Sequence, residues 1–155
     1  MSQEKLIEIK NLKTFFNTEA GIAKAVNDVS FDIYKGEVLG IVGESGSGKS
    51  VTSMSINRLI PNPPGEIVGG EIFYKGKDLL EYSYEQMSEI RGKEISMIFQ
   101  EPMTSLNPVL RISSQMNEIL VKHEGLIEEK ATKKSIEMLK RVGIPEPERR
   151  IYDYP

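Results

Sequence analysis

The residues with the clearest chemistry lie in GESGSGKS (43–50), where Gly43, Gly48, Lys49 and Ser50 keep the spacing G-x-x-x-x-G-K-[ST]. Each residue type has a physical task. Glycine lets the backbone curl tightly, so that successive N–H groups point inward as an anion nest. A helix beginning near Lys49 adds the positive end of its dipole. The Lys49 ammonium can reach the outer phosphates of a nucleotide, and the Ser50 hydroxyl suits Mg²⁺. Glu44, Ser45, Gly46 and Ser47 contribute mostly backbone. The bland alternative is a flexible Gly/Ser linker that fits the pattern by chance. An apolar strand pattern before the loop and a helical pattern after it argue for the phosphate cradle.

Such a loop needs a strand to launch it and a helix to receive it. EVLGIV (37–42) reads as the strand, and KSVTSMSINRLI (49–60) as the helix, with Met54, Ile56, Leu59 and Ile60 at helical spacing. PNPP (61–64) stops that helix. Upstream, KLIEIKNLKTFF (5–16) and AKAVNDVSFDIYKG (23–36) read as strands around the turn NTEAG (17–21). Downstream, GGEIFYKGKDL (69–79) reads as a hairpin turning at Lys75-Gly76. Ser83 and Gln86 form a capping box for a short helix in SYEQMSEIRG (83–92). EISMIFQ (94–100) has the composition of a buried strand, and EPMTSLNP (101–108) that of a loop. Two helices follow. One carries Ile112, Met116, Ile119 and Leu120; the other carries Ile127, Ala131, Met138, Leu139 and Val142, with Gly143 and Pro145 at its end. The tail EPERRIYDYP (146–155) is polar and irregular.

The 155 residues make about one domain, 39% apolar and 28% charged, as expected of a globular chain. A net charge of −3 gives no basic footprint for nucleic acid. No apolar run approaches the roughly 18 residues of a membrane span. Without cysteine there is no disulfide framework and no thiolate metal site. His123 is the single histidine and reads as a surface residue, since one imidazole does not make a metal site.

AVNDVSFDIYKGEVLGIVGESGSGKSVTSMSINRLI and MIFQEPMTSLNP, about fifty residues beyond the glycine loop, together resemble the ATP-binding subunits of ABC transporters of the dipeptide and oligopeptide importer type. The resemblance runs from about Leu6 to Pro155. It implies an α/β fold: a P-loop NTPase core with an N-terminal antiparallel β part (1–100), then the Q-loop and the start of a helical subdomain (101–155), an incomplete cassette. It implies ATP and Mg²⁺ as cofactors. Gly43 to Ser50 and the Val51 N–H would hold phosphates, and Phe16 would stack on adenine. Phe15 competes with Phe16, because a one-residue slip swaps the two faces of a strand. Gln100 matches the Q-loop glutamine, which reaches the metal or the attacking water, so Ser50 and Gln100 are the metal-site residues and Gln100 the catalytic one. Many members have threonine where this chain has Val51; Thr52 is at best a partial substitute. The implied partners are membrane permease subunits and a second ATP-binding subunit, at the cytoplasmic face of the membrane, with the peptide handled by other subunits.

Hydrolysis also needs an acidic residue for Mg²⁺ and a carboxylate to orient water. The family's apolar strand ending in Asp-Glu is not among these 155 residues, and neither are its Leu-Ser-Gly-Gly-type signature, switch histidine and Asp loop. The expectation is therefore nucleotide binding without turnover for this chain alone, and self-association through open strand edges. Two rival readings stay open. A non-catalytic interaction module would keep the P-loop as structure, and a small P-loop kinase would need a lid and an acceptor site.

Overall fold

The computed structural model describes residues 4–100 and 105–155. The chain forms two compact units, Met1–Ser88 and Glu89–Pro155. The change of pattern in the sequence instead suggests a boundary near Gln100.

The first unit is built on an antiparallel sheet of order β2-β1-β3-β4. Strands β1 (Lys5–Thr18) and β2 (Gly21–Tyr34) form the long expected hairpin, closing at Thr18↔Gly21. Strand β3 (Gly65–Tyr74) lies on the other side of β1, with Phe16 opposite Gly65 and Ile9 opposite Ile72. Alternation sends Ile7 and Ile9 of β1 and Ile72 and Tyr74 of β3 into the core, and an irregularity at positive-φ Asn11 resets the strand so that Leu12 joins them, with Val26 of β2. The hairpin at Lys75-Gly76 is present, both residues having positive φ (50° and 78°), as a two-residue turn of this kind requires. Its second arm, β4 (Lys77–Asp78), is only two residues long.

Helix α1 (Lys49–Ile56) is shorter than the apolar spacing predicts. It ends before the prolines, in a Schellman closure. Leu59 N–H reaches back to Met54 C=O at 2.9 Å, and Arg58 N–H to Ser55 C=O at 3.0 Å. Arg58 takes the left-handed conformation (φ 50°) that glycine usually fills. Its guanidinium donates to the Leu79 and Tyr82 carbonyls, which holds the residue there. Helix α2 (Tyr84–Ile90) starts on the expected capping box. Ser83 Oγ accepts from Gln86 N–H at 3.3 Å, and Gln86 Oε1 accepts from Ser83 N–H at 2.8 Å.

In the second unit α3 (Ile112–Glu124) and α4 (Glu128–Arg141) pack as a helical pair. Leu120 and Ala131 are buried as expected, but Ile119, Ile127 and Val142 of the anticipated apolar faces are exposed. Polar side chains fill part of the seam instead. Asn117 donates to Glu128 Oε1 (2.6 Å) and Thr132 Oγ1 (2.7 Å), and Ser135 Oγ donates to Asn117 Oδ1 (2.9 Å). With every member bonded, the network fixes the helix pair without leaving a buried group unpaired. The tail is more ordered than its polarity suggests. Pro147–Arg150 forms α5, with proline at a first-turn position. The Ile151 and Asp153 carbonyls accept from Ser113 and Ile112 N–H, capping α3 from outside.

The two segments expected as buried strands, 37–42 and 94–100, join no ladder among the described residues apart from the single bridge Arg91↔Ile95. Val38 is 98% exposed, Val42 93% and Ile98 96%. Strand propensity reflects fit to a paired, half-buried surface, and without neighbours these residues cannot express it.

Candidate functional site

The glycine loop closes onto α1 through backbone conformations that few other residues tolerate. Gly46 and Gly48 have φ of 80° and 88°, and Gly48 is the residue on which α1 begins. A Cβ on Gly48 would lie 2.2 Å from the Ala25 carbonyl oxygen of β2, and one on Gly43 would lie 2.8 Å from Ser47 Oγ. Gly48 thus answers both a close approach to backbone and a left-handed φ, whereas a Cβ at 43 would meet only the movable Ser47 hydroxyl. Gly46 answers only the left-handed φ, since a Cβ there would meet open space.

The first hydrogen bond of α1 runs from Thr52 N–H to Gly48 C=O at 2.8 Å. The N–H groups of Lys49, Ser50 and Val51 precede it and lie at the positive end of the helix. No acidic residue occupies that first turn to compete for them. The Lys49 ammonium curls over the loop, donating to Gly43 C=O (2.8 Å), Glu44 C=O (2.6 Å) and Ser47 Oγ (3.2 Å). Ala25 and residues 46–51 line a concavity of about 150 Å³. That is smaller than the roughly 300 Å³ at which small-molecule pockets begin, so it suits phosphate groups, with the rest of any ligand lying outside. These donors fit the phosphates of ATP. Ser50, at the same helix start, is exposed, and its hydroxyl is of a type that could ligate a hard cation. No group of three or more His, Cys, Asp or Glu side chains among the described residues could hold a metal.

Phe16 is half-buried on β1, on the face of Thr14 by alternation from buried Leu12 and Thr14. One ring edge faces Gly65, where a Cβ would come within 2.6 Å of it. Phe15 points the other way, with the Lys24 ammonium 5.6 Å from its ring centroid. Gln100 is exposed and belongs to the second unit, whereas residues 43–51 and Phe16 belong to the first. The Q-loop stretch 101–104 lies outside the described residues.

The family profile described as ABC transporter matches residues 26–155. The chain belongs to the ABC transporter family. It is 52% identical over 151 residues to the oligopeptide transport ATP-binding protein OppD of Bacillus subtilis (strain 168), covering 97% of this chain and 42% of that protein. It is 50% identical over 156 residues to the dipeptide transport ATP-binding protein DppD of Lactococcus lactis subsp. cremoris (strain MG1363), covering 44% of that protein. The chain therefore spans less than half the length of these relatives. Among solved structures it resembles the dimeric bacterial ABC transporter cassette MJ0796, with TM-score 0.79 and 25% identity over 96% of this chain and 61% of that one. The same cassette bound to ADP and Pi aligns with TM-score 0.80 at 24% identity. The expected cassette fold is thus found, and the match to peptide-transport relatives follows the resemblance read from the two motifs.

Some structural features of this chain carry no sequence motif. The Ala25 carbonyl pressing on Gly48 is one. A second is a buried bond between Thr14 Oγ1 and Ser55 Oγ, 2.8 Å apart, which fastens α1 to β1. A third is the Gln115 side chain, whose amide clamps the turn after the Q-loop. It accepts from Asn107 N–H (2.8 Å) and donates to the Asn107 (3.0 Å) and Leu110 (2.9 Å) carbonyls. The only sequence signal for Thr14 is a polar residue on the apolar face of a strand.

Proposed function

We propose that this chain is the nucleotide-binding front part of the ATP-binding subunit of a peptide-importing ABC transporter. The observation that carries the proposal is the cradle at residues 43–51: turned-in glycines, three N–H groups at a helix start, and Lys49 above them. When bound, ATP supplies the phosphoanhydride whose cleavage drives transport, and Mg²⁺ offsets its charge. Residues 43–50 and the Val51 N–H hold the phosphates. Ser50 would give the metal an oxygen, and for Gln100, in the second unit, the catalytic role rests on the family resemblance alone. Phe16, rather than Phe15, offers the adenine a ring face, because Lys24 already covers Phe15.

The peptide-transport relatives support the rest of the reading. The intact subunit works at the cytoplasmic face of the membrane with permease subunits and a second ATP-binding subunit, and other subunits handle the peptide. No helix among the described residues is long and apolar enough to cross a membrane, which accords with a peripheral place. This chain alone binds Mg-ATP and does not turn it over. The test is peptide uptake by the intact subunit assembled with its permeases in vesicles. Lys49→Ala is expected to abolish ATP-driven uptake of a labelled oligopeptide. Uptake at the wild-type rate, or wild-type vesicles that take up no peptide, would refute the assignment.

A further inference from the structure

The buried Thr14–Ser55 bond joins the two elements that the nucleotide reading uses at opposite ends of one ligand. Both side chains are fully buried. Ser55 Oγ also donates to the Val51 carbonyl at 2.7 Å, so the remaining hydrogen in the pair belongs to Thr14. The path runs Thr14 Oγ1–H to Ser55 Oγ, then Ser55 Oγ–H to Val51 C=O, in the first turn of α1. Strand β1 continues from Thr14 to Phe16, about 7 Å along an extended chain. Helix α1 runs back from Ser55 to Ser50, about 7.5 Å along its axis. One bond therefore sets where the phosphate end of α1 stands along the strand that bears the aromatic ring. Gly48 also lies close against the Ala25 carbonyl of β2, at the phosphate end.

Resting on the nucleotide-binding reading above, we infer that Thr14 and Ser55 are positioning residues. They hold the phosphate cradle and the Phe16 ring at the separation that a whole nucleotide spans. Neither touches the ligand. Their effect falls on ligands that engage both ends at once and spares ligands that fill only the phosphate end.

The experiment measures binding of Mg-ATP and of Mg-tripolyphosphate to the 155-residue chain by calorimetry. Variants are Thr14→Val, which keeps shape and removes the donor, Thr14→Ser, which restores it, and Ser55→Ala. Thr14→Val and Ser55→Ala are expected to weaken ATP about fivefold, the order of one lost hydrogen bond, and to leave tripolyphosphate within about twofold. Thr14→Ser should recover the wild-type ratio. Equal weakening of both ligands, or of neither, would overturn the inference, because a purely structural bond does not change the ratio. Wild type that binds tripolyphosphate as tightly as ATP would remove Phe16 from the site and overturn it while leaving the phosphate cradle standing. Wild type that binds neither would defeat the nucleotide reading itself.

Discussion

Residues 5–34 and residues 37–42 are both rich in β-branched and apolar side chains, and they meet opposite fates in the same unit. In β1 and β2 most residues pair across the hairpin, through several register shifts, and Ile9 and Leu12 are no more than 1% exposed. In the segment leading into the glycine loop no ladder forms, and Val38 and Val42 are more than 90% exposed. The loop beyond that segment is nonetheless formed. Its shape comes from the left-handed glycines, the start of α1 and two anchors on the antiparallel sheet, Gly48 on Ala25 and Ser55 on Thr14. The phosphate cradle therefore depends on the sheet it touches more than on the strand that precedes it.

Mutations sharpen the contrast, the largest effect first. Leu12→Ala should cost about 2–5 kcal/mol by denaturant unfolding, as a large-to-small change in a closed core. Val42→Ala should change stability by no more than about 0.5 kcal/mol. Equal costs would mean that the segment is packed as well as the sheet. The same exposed side chains favour association, so light scattering should report species larger than a monomer, and Val38→Lys with Val42→Lys should reduce them.

Gly48→Ala comes next. It forces a side chain into a left-handed conformation and against a backbone oxygen, at a combined cost of about 2–4 kcal/mol. It should also abolish phosphate binding. Gly46→Ala meets open space, and its backbone strain alone should cost about 1–2 kcal/mol. A Gly48 variant no worse than the Gly46 variant would remove Ala25 as an anchor.

Ser83→Ala should remove about 1 kcal/mol through the lost cap of α2. A protein as stable as wild type in denaturant would mean that the box forms without holding the helix.

The smallest effect is electrostatic and lies on the sheet. The Lys5 ammonium, 2.8 Å from Glu8, holds the Glu8 carboxyl below its ordinary 4.5. Its stabilisation is complete above that value and fades as pH falls through the lower folded value. NMR titration of Glu8 should show the depressed midpoint, and Lys5→Met should raise it toward the ordinary range, with Lys10 at 3.3 Å still pulling it down. An unchanged midpoint would mean that the surface pair is not populated in water.

The sequence was most legible where one residue type answers one local demand. Gly43, Gly48, Lys49 and Ser50 could be read directly, as could the Ser83–Gln86 box and the Lys75-Gly76 turn. The family followed from two motifs together. Legibility failed where the outcome depends on distant neighbours. EVLGIV and EISMIFQ have strand composition, but composition does not state whether a ladder is present to receive them. The helix stop at Asn57 was missed because an arginine fills the left-handed position, held by two carbonyls more than twenty residues away. Ile119 and Val142 lie on apolar faces by helical spacing and yet are exposed, because spacing identifies a face and not what covers it. Thr14 gave no motif at all.

The measurement that bears most directly on the account is thermal unfolding of the 155-residue chain with and without Mg-ATP, for wild type and Lys49→Ala. Ligand at about a hundred times its dissociation constant should add roughly 2.7 kcal/mol to a formed site. The account predicts that gain for wild type and none for Lys49→Ala. No gain in wild type, or an equal gain in both, would contradict a phosphate cradle at residues 43–51.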